Sequence, residues 1–421
     1  MKMINNIKMS NYTLVKKCRI CGGENLHLIL DLGKQPPANS LIEKSQLDLS
    51  EPVFPLRLFW CNDCFLVQLL DIVKKEFLFK HYLYMTSASK PIVEHFTKYA
   101  LDIHNQFLKK QENPFVVEIG SNDGSLLRQF KKLGSCILGI EPASNLAKLA
   151  NDSGITTMND FFSLSNAKKI VESKNVSIVV ANNVIGHVEN LHDLMEGIKI
   201  LIGEHGVFVF EVPYLLDLVK KLEFDTVYHE HLSYFSVLPI INLIERFNLE
   251  IFDVQKQSVH GGTLRIFVSK KNNFKIKDSV KKFIKLEYEF GINNIKTYDK
   301  FSDDVQNLKN KIIKLLYKLK NEKKSLFGYG ASAKGNVLLN YCNIDSSILD
   351  YIIDTTPLKQ GKFTPVTHIP IVSSDQISNS ENGSIALLLA WNYENQILDK
   401  EYDFRSNGGK FLIPIPEPII K

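Results

Sequence analysis

Apolar residues along the chain gather into short β-branched runs, each followed by glycine or asparagine and then by residues with helical spacing. The first such unit is Pro114-Phe-Val-Val-Glu-Ile-Gly-Ser-Asn-Asp-Gly-Ser-Leu-Leu: a strand, a glycine turn and a helix starting near Ser125. Further strands are expected at 137–140, after Gly154, at 176–180 and at 207–211, and two more at 249–254 and 263–268 after a long excursion. This repetition predicts a doubly wound sheet with its ligand at the carboxyl ends of the strands. Upstream, residues 54–60 alternate as a half-buried strand does. Downstream, 309–324 has the spacing of an amphipathic helix with its lysines on a solvated face. It leads to a second strand–turn–helix unit from Ser325 and to a strand at 349–353. The expected fold class is α/β, in three parts: residues 1–80, 81–270 and 271–421.

Composition narrows the picture. A chain of 421 residues exceeds one core, since domains usually run to about 150 residues. Hydrophobic residues make up 44% and charged residues 23%, which excludes disorder as the main state. No apolar run approaches the ~18 residues of a membrane span, and residues 1–17 lack a signal-peptide core. No membrane partner and a cytoplasmic location are therefore expected. The 51 basic and 46 acidic residues leave +5, spread along the chain, so no nucleic-acid partner is expected either.

Six cysteines are too few for a disulfide framework, yet four pair as Cys18/Cys21 and Cys61/Cys64. Each C-x-x-C turn can place two thiolates on one side, and four sulfurs close the tetrahedron of one structural zinc. Four buried free thiols are the plain alternative. A thioredoxin-like redox pair is disfavoured because neither pair precedes a helix in a βαβ unit. Cys136 and Cys342 stand apart and are expected in the core.

In the first glycine turn, Gly120 and Gly124 let backbone approach a ligand, and Glu118 at the strand end can hold an amino group. Glu141 ends the second strand, where an acidic side chain can bind both ribose hydroxyls. With seven ordered strands, this region resembles a class I S-adenosylmethionine methyltransferase. Its motif, acidic-x-Gly-x-Gly-x-Gly, occurs here with Asn122 for the middle glycine. The turn alone would also suit NAD. Asn182-Asn183 at the tip of the fourth strand, where such methyltransferases place acceptor-side residues, favours the methyl donor. The resemblance implies cofactor contacts from Glu118, Gly120, Asn122, Asp123, Gly124, Glu141, Asn182 and Asn183.

His187 follows the fourth strand, and the excursion after the fifth carries Tyr228-His229-Glu230-His231. Imidazole suits proton transfer near neutral pH, and a nearby carboxylate can orient it. A single histidine is more often packed or solvated than catalytic, but this cluster sits where a methyltransferase receives its acceptor. The zinc knuckles, residues 82–89, the 118–124 turn, residues 182–187, residues 228–231 and His260-Gly-Gly-Thr-Leu-Arg265 occur in one order. So arranged, nearly the whole chain resembles the nucleotide-sugar C-methyltransferases, which methylate carbon 3 of 4-keto-deoxysugars. The resemblance implies an N-terminal zinc-binding module, a central methyltransferase domain and a C-terminal Rossmann-like domain. It places Tyr84, His187, Tyr228, Glu230 and His231 in the active-site cleft, with His231 as the base. Met85-Thr86 departs from the His-Ser of relatives.

In the last third, Gly328, Gly330 and Ala333 fit the G-x-G-x-x-A dinucleotide pattern, and Asp354 stands where a ribose-binding carboxylate would. Read alone, this is an NAD site. Ser332 and Lys334 could instead grip the phosphates of a nucleotide sugar, the role the resemblance implies, with His260 and Arg265 as further substrate contacts; a purely structural turn is the third reading. A zinc-knuckle RNA methyltransferase would need a basic, aromatic stripe near the cysteines, whereas residues 18–64 mix acidic, basic and apolar side chains. A catalytically idle nucleotide-binding scaffold is hard to reconcile with the Tyr-His-Glu-His run. The expected partner is an NDP-4-keto-deoxysugar, and the expected state a monomer or small homo-oligomer.

Overall fold

The computed structural model describes residues 11–74, 78 and 85–421. Near the start, β1 (Tyr12–Leu14), β2 (Leu26–Gln35), β3 (Phe54–Cys61), β4 (Val67–Leu69) and β5 (Asp71–Val73) form two small antiparallel sheets. β3 alternates buried and half-buried residues, as its sequence predicts.

The central sheet contains β6 (Phe115–Ile119), β7 (Cys136–Ile140), β8 (Thr157–Met158), β9 (Ile178–Asn182) and β10 (Val207–Pro213), all parallel. The chain then contributes β11 (Ser233–Tyr234) to the N-terminal sheet, where it pairs with β4, before β12 (Leu249–Gln257) and β13 (Thr263–Lys270) return to the central one. The order is β12-β13-β10-β9-β6-β7-β8, with β13 antiparallel to both neighbours. Strand order reverses between β6 and β9, which is the switch point where such sheets bind ligands. β9 and β10 run past the ends expected at 180 and 211. Ladder pairing of Asn182 with Glu211, and of Pro213 with Thr263, carries each strand beyond its apolar run.

The helix expected at 309–324 is Ile295–Asn321. Buried Tyr298, Phe301, Val305 and Leu308 continue its apolar stripe upstream of the lysine cluster, and the Asn294 side chain caps it by accepting from Lys296 N. It leads to β14 (Leu326–Tyr329), β15 (Ile352–Asp354), β16 (Ile371–Ser373), β17 (Ile385–Leu388), β18 (Lys410–Ile413) and β19 (Ile419–Ile420). Their order is β16-β15-β14-β17-β18-β19, parallel except for β19.

One contiguous apolar core runs from Cys18 to Ile415 through three of the four sheets, and a second fills the other face of the central sheet around Tyr99, Phe130 and Phe252. Among the described residues, no helix is long and apolar enough to cross a membrane.

Candidate active site

The four sulfurs of Cys18, Cys21, Cys61 and Cys64 lie within 4.8 Å of one another. Cys18 Sγ is 3.4 Å from Cys64 Sγ, and Cys21 Sγ 3.5 Å from Cys61 Sγ. A tetrahedron with zinc–sulfur bonds of about 2.3 Å has edges of about 3.8 Å, so this donor set fits one closed zinc site. Backbone turns shape each knuckle: Gly22 N–H donates to Cys18 O at 3.0 Å, and Phe65 N–H to Cys61 O at 2.8 Å. Cys342 is buried as expected; Cys136 is exposed, because it is the first residue of β7.

A cavity of about 820 Å³ opens at the switch point. Glu118, Gly120, Asn122, Glu141, Asn182 and Asn183 line one part of it. Gly120 and Asn122 adopt φ +68° and +50°, a left-handed turn that glycine and asparagine tolerate best. Glu118 is buried, its Oε2 has no hydrogen-bond partner, and burial beside Asp123 and Glu141 drives its pKa well above the usual carboxylate range. A cationic group in the cavity would relieve that unpaired carboxyl. Glu141 accepts from Asn122 N–H at 2.9 Å and Ala143 N–H at 2.8 Å, leaving acceptor capacity for hydroxyls. Ammonium at Glu118 and ribose at Glu141 are the demands of S-adenosylmethionine, and the residues present fit it.

Two expected cofactor contacts lie outside the cavity. Asp123 spends its carboxylate on Ser87 N–H at 2.8 Å and on Ser125 N–H and Oγ–H at 3.2 and 2.5 Å. Gly124 has φ +74°, and a Cβ there would fall 2.8 Å from Ile155 Cγ2. Both residues shape the turn without reaching the space it borders.

His187, Thr226, Tyr228 and His231 line the facing part of the cavity. His187 ends the 3₁₀ turn Ile185–His187, directly after β9. The His231 ring lies 3.9 Å from that of Tyr228 and 4.8 Å from that of His187. His231 Nδ1 is 2.9 Å from Thr226 O. A carbonyl can only accept, so Nδ1 carries a proton. Burial pulls the His187 imidazole down to about 4, against a weaker upward pull from the backbone of Glu230 and Asn183, so it is neutral at pH 7.

Glu230 does not orient His231. Its Oε1 accepts from Asn39 Nδ2 at 2.6 Å, it borders a separate void of about 10 Å³ with His187 and His229, and burial raises its pKa to about 7. Residues 228–231 form a β-turn closed by His231 N–H to Tyr228 O at 2.8 Å, which turns its central residue Glu230 toward the zinc module and leaves the Thr226 carbonyl to hold the histidine. His229 points the same way, to Pro55 O at 3.2 Å. Tyr84 and Tyr82 lie outside the described residues, as does the side chain of His260.

The C-terminal part contributes Lys334 and Tyr393 to the cavity wall. Ser332 caps the helix Ala333–Cys342 instead: its Oγ accepts from Gly335 N–H at 3.0 Å and donates to Leu389 O at 3.1 Å. Arg265 is buried against its cross-strand neighbour Glu211, Nε to Oε1 2.8 Å, and over the Tyr99 ring at 4.0 Å. Asp354 holds Ala331 N–H and Thr356 N–H, each at 2.8 Å, so its carboxylate pins the second glycine turn.

Phe161, Phe162 and Tyr393 also line the cavity and were not singled out from sequence. Each follows the carboxyl end of a strand, β8 or β17, which is the signal that could have found them. Ile92 and Phe96 come from the helix Lys90–Ile103, which packs outside the strand pattern and offered no such signal.

Residues 18–79 match the family model "Putative zinc binding domain", 93–254 the model "Methyltransferase domain", and 258–416 the model "C-methyltransferase C-terminal domain". C-methyltransferase NovU of Streptomyces niveus is 34% identical over 406 residues, 96% of each chain. The chain belongs to this C-methyltransferase family. It is a S-adenosylmethionine-dependent C-methyltransferase with a zinc-binding N-terminal module. Solved structures similar to this methyltransferase include magnesium protoporphyrin IX methyltransferase of Synechocystis PCC 6803 with bound S-adenosylmethionine, at TM-score 0.32 and 12% identity over 43% of this chain and 82% of that one. A SAM dependent methyltransferase from Archaeoglobus fulgidus gives TM-score 0.34 and 13% identity over 42% and 94%.

Proposed function

We propose that the enzyme methylates carbon 3 of an NDP-4-keto-deoxysugar, with His231 as general base. The observation that carries this reading is the His231 ring, committed through Nδ1 to Thr226 O and lining the same cavity as Glu118 and Glu141. A ketone at carbon 4 acidifies the carbon 3 proton, so one base suffices. His231 Nε2 takes that proton, the C–H electron pair becomes the enolate double bond, and charge moves to the carbonyl oxygen. Tyr228 and neutral His187 are the nearby groups able to donate to that oxygen, and donors already in place cost no reorganisation during reaction. Bound S-adenosylmethionine supplies the sulfonium methyl that the enolate carbon takes up. Lys334 supplies positive charge for the diphosphate of the nucleotide sugar.

The test is mass spectrometry of a panel of NDP-4-keto-deoxysugars incubated with enzyme and S-adenosylmethionine. One methyl gained on a sugar is expected, and no gain across the panel would sink the proposal. In deuterated water without methyl donor, wild type should exchange the carbon 3 proton and His231→Asn should not; equal exchange removes His231 from the base role.

A further inference from the structure

Lys334 reaches the cavity from the first turn of the helix Ala333–Cys342, which packs on the turn Phe224–Thr226 just ahead of Tyr228. Its Nζ lies over the Trp391 ring, 4.8 Å from the centroid. Trp391 is itself held by its edge: indole Nε1–H donates to Asp225 Oδ2 at 2.6 Å. Both partners are buried, Asp225 at 0% and Trp391 at 8% exposed. The indole plane is thus locked by one group while its face carries another. A cation is attracted to the face of an indole ring, which favours one rotamer of a long lysine. The same short turn, Trp391–Tyr393, also brings Tyr393 to the cavity. Two buried carboxylates, Glu223 and Asp225, lie close enough for the Lys334 charge to act on both.

We infer that Asp225 and Trp391 are positioning residues that hold the Lys334 ammonium at the acceptor part of the cavity, ready for the diphosphate of a nucleotide sugar. The inference rests on the reading above that the acceptor carries a diphosphate. The bland account, in which Lys334 only neutralises Asp225 and Glu223, makes a different prediction for paired substitutions. If Trp391 acts through Lys334, its effect disappears once the lysine is gone; if it acts on its own, the two losses add.

The experiment is calorimetric binding of TDP, UDP, CDP and GDP to zinc-containing protein saturated with S-adenosylhomocysteine. For the nucleotide that wild type binds best, Lys334→Gln should weaken binding roughly tenfold or more, the usual worth of a charge-assisted contact. Trp391→Phe and Asp225→Ala should each weaken it several-fold, and Asp225→Asn, which keeps an oxygen for the indole, should recover most of the loss. In the Lys334→Gln background, Trp391→Phe should add less than twofold, with S-adenosylhomocysteine affinity unchanged throughout. Should Asp225→Ala fail to fold, Trp391→Phe alone decides. No binding by wild type overturns the diphosphate reading itself. Binding by wild type, with losses that add in full or with no loss in Trp391→Phe, overturns the positioning role alone.

Discussion

A histidine can serve as a base when one ring nitrogen is committed to an acceptor, and His231 Nδ1 is so committed to Thr226 O at 2.9 Å. His231→Asn should therefore lower kcat at least about a hundredfold, with S-adenosylmethionine affinity unchanged. Stopped-time assays beside cofactor titration check this; an unchanged kcat counts against it. Glu230 makes a second prediction. Its folded pKa, about 7, stands above an unfolded value near 4.5, so the folded state holds the extra proton between those limits. The stability this gives is complete below about pH 4.5 and lost as pH rises through 7. Urea midpoints of Glu230→Gln relative to wild type should rise between pH 5 and pH 8, and a constant difference would contradict the burial cause. The sequence made residue types and spacing legible: the four cysteines gather in one cluster, and Glu118, Glu141 and His231 line one cavity. It could not show direction. In the 228–231 run, Tyr228 and His231 face the cavity while His229 and Glu230 face the zinc module, because the run is a β-turn with those two at its centre.

Among the elements, strands were legible because each is a short buried run, and their ends were not, because pairing with a neighbour decides where a ladder stops. The Ile295–Asn321 helix was half seen: lysines drew attention to its end, while its apolar stripe begins at Tyr298. The His260-Gly-Gly-Thr run, in which His260 is the expected substrate contact, has a conformational reason for its glycines. Gly261 and Gly262 adopt φ +90° and +135°, and a Cβ on Gly262 would lie 2.0 Å from Asp217 Oδ2, a buried carboxylate paired with Lys256 at 2.8 Å. Gly262→Ala should cost more than about 1 kcal/mol, measured by denaturant unfolding. A variant as stable as wild type would mean that the turn relaxes freely.

Across the whole molecule, the three parts share one core, and the zinc module touches the chemistry through the excursion. Arg19 Nη1 donates to Leu232 O at 2.9 Å, Leu69 N–H to the same oxygen at 3.0 Å, and β11 pairs with β4 two residues after His231. Stripping zinc with a chelator should lower the unfolding temperature and abolish methyl transfer in parallel, with about one zinc per chain lost by elemental analysis. Full activity in zinc-free protein would show that the module does not support the base.

The strand pairing between β4 and β11 also sets a rule for recombination. Residues 18–69 and 224–236 are far apart in the chain yet are bonded to each other, so a chimera with a related enzyme should keep the cavity side chains of this segment in place only when both segments come from the same parent. A crossover near residue 80, tidy by domain count, splits that pair; exchanging the last third at about residue 275 keeps the β4–β11 pairing but parts Asp225 from Trp391.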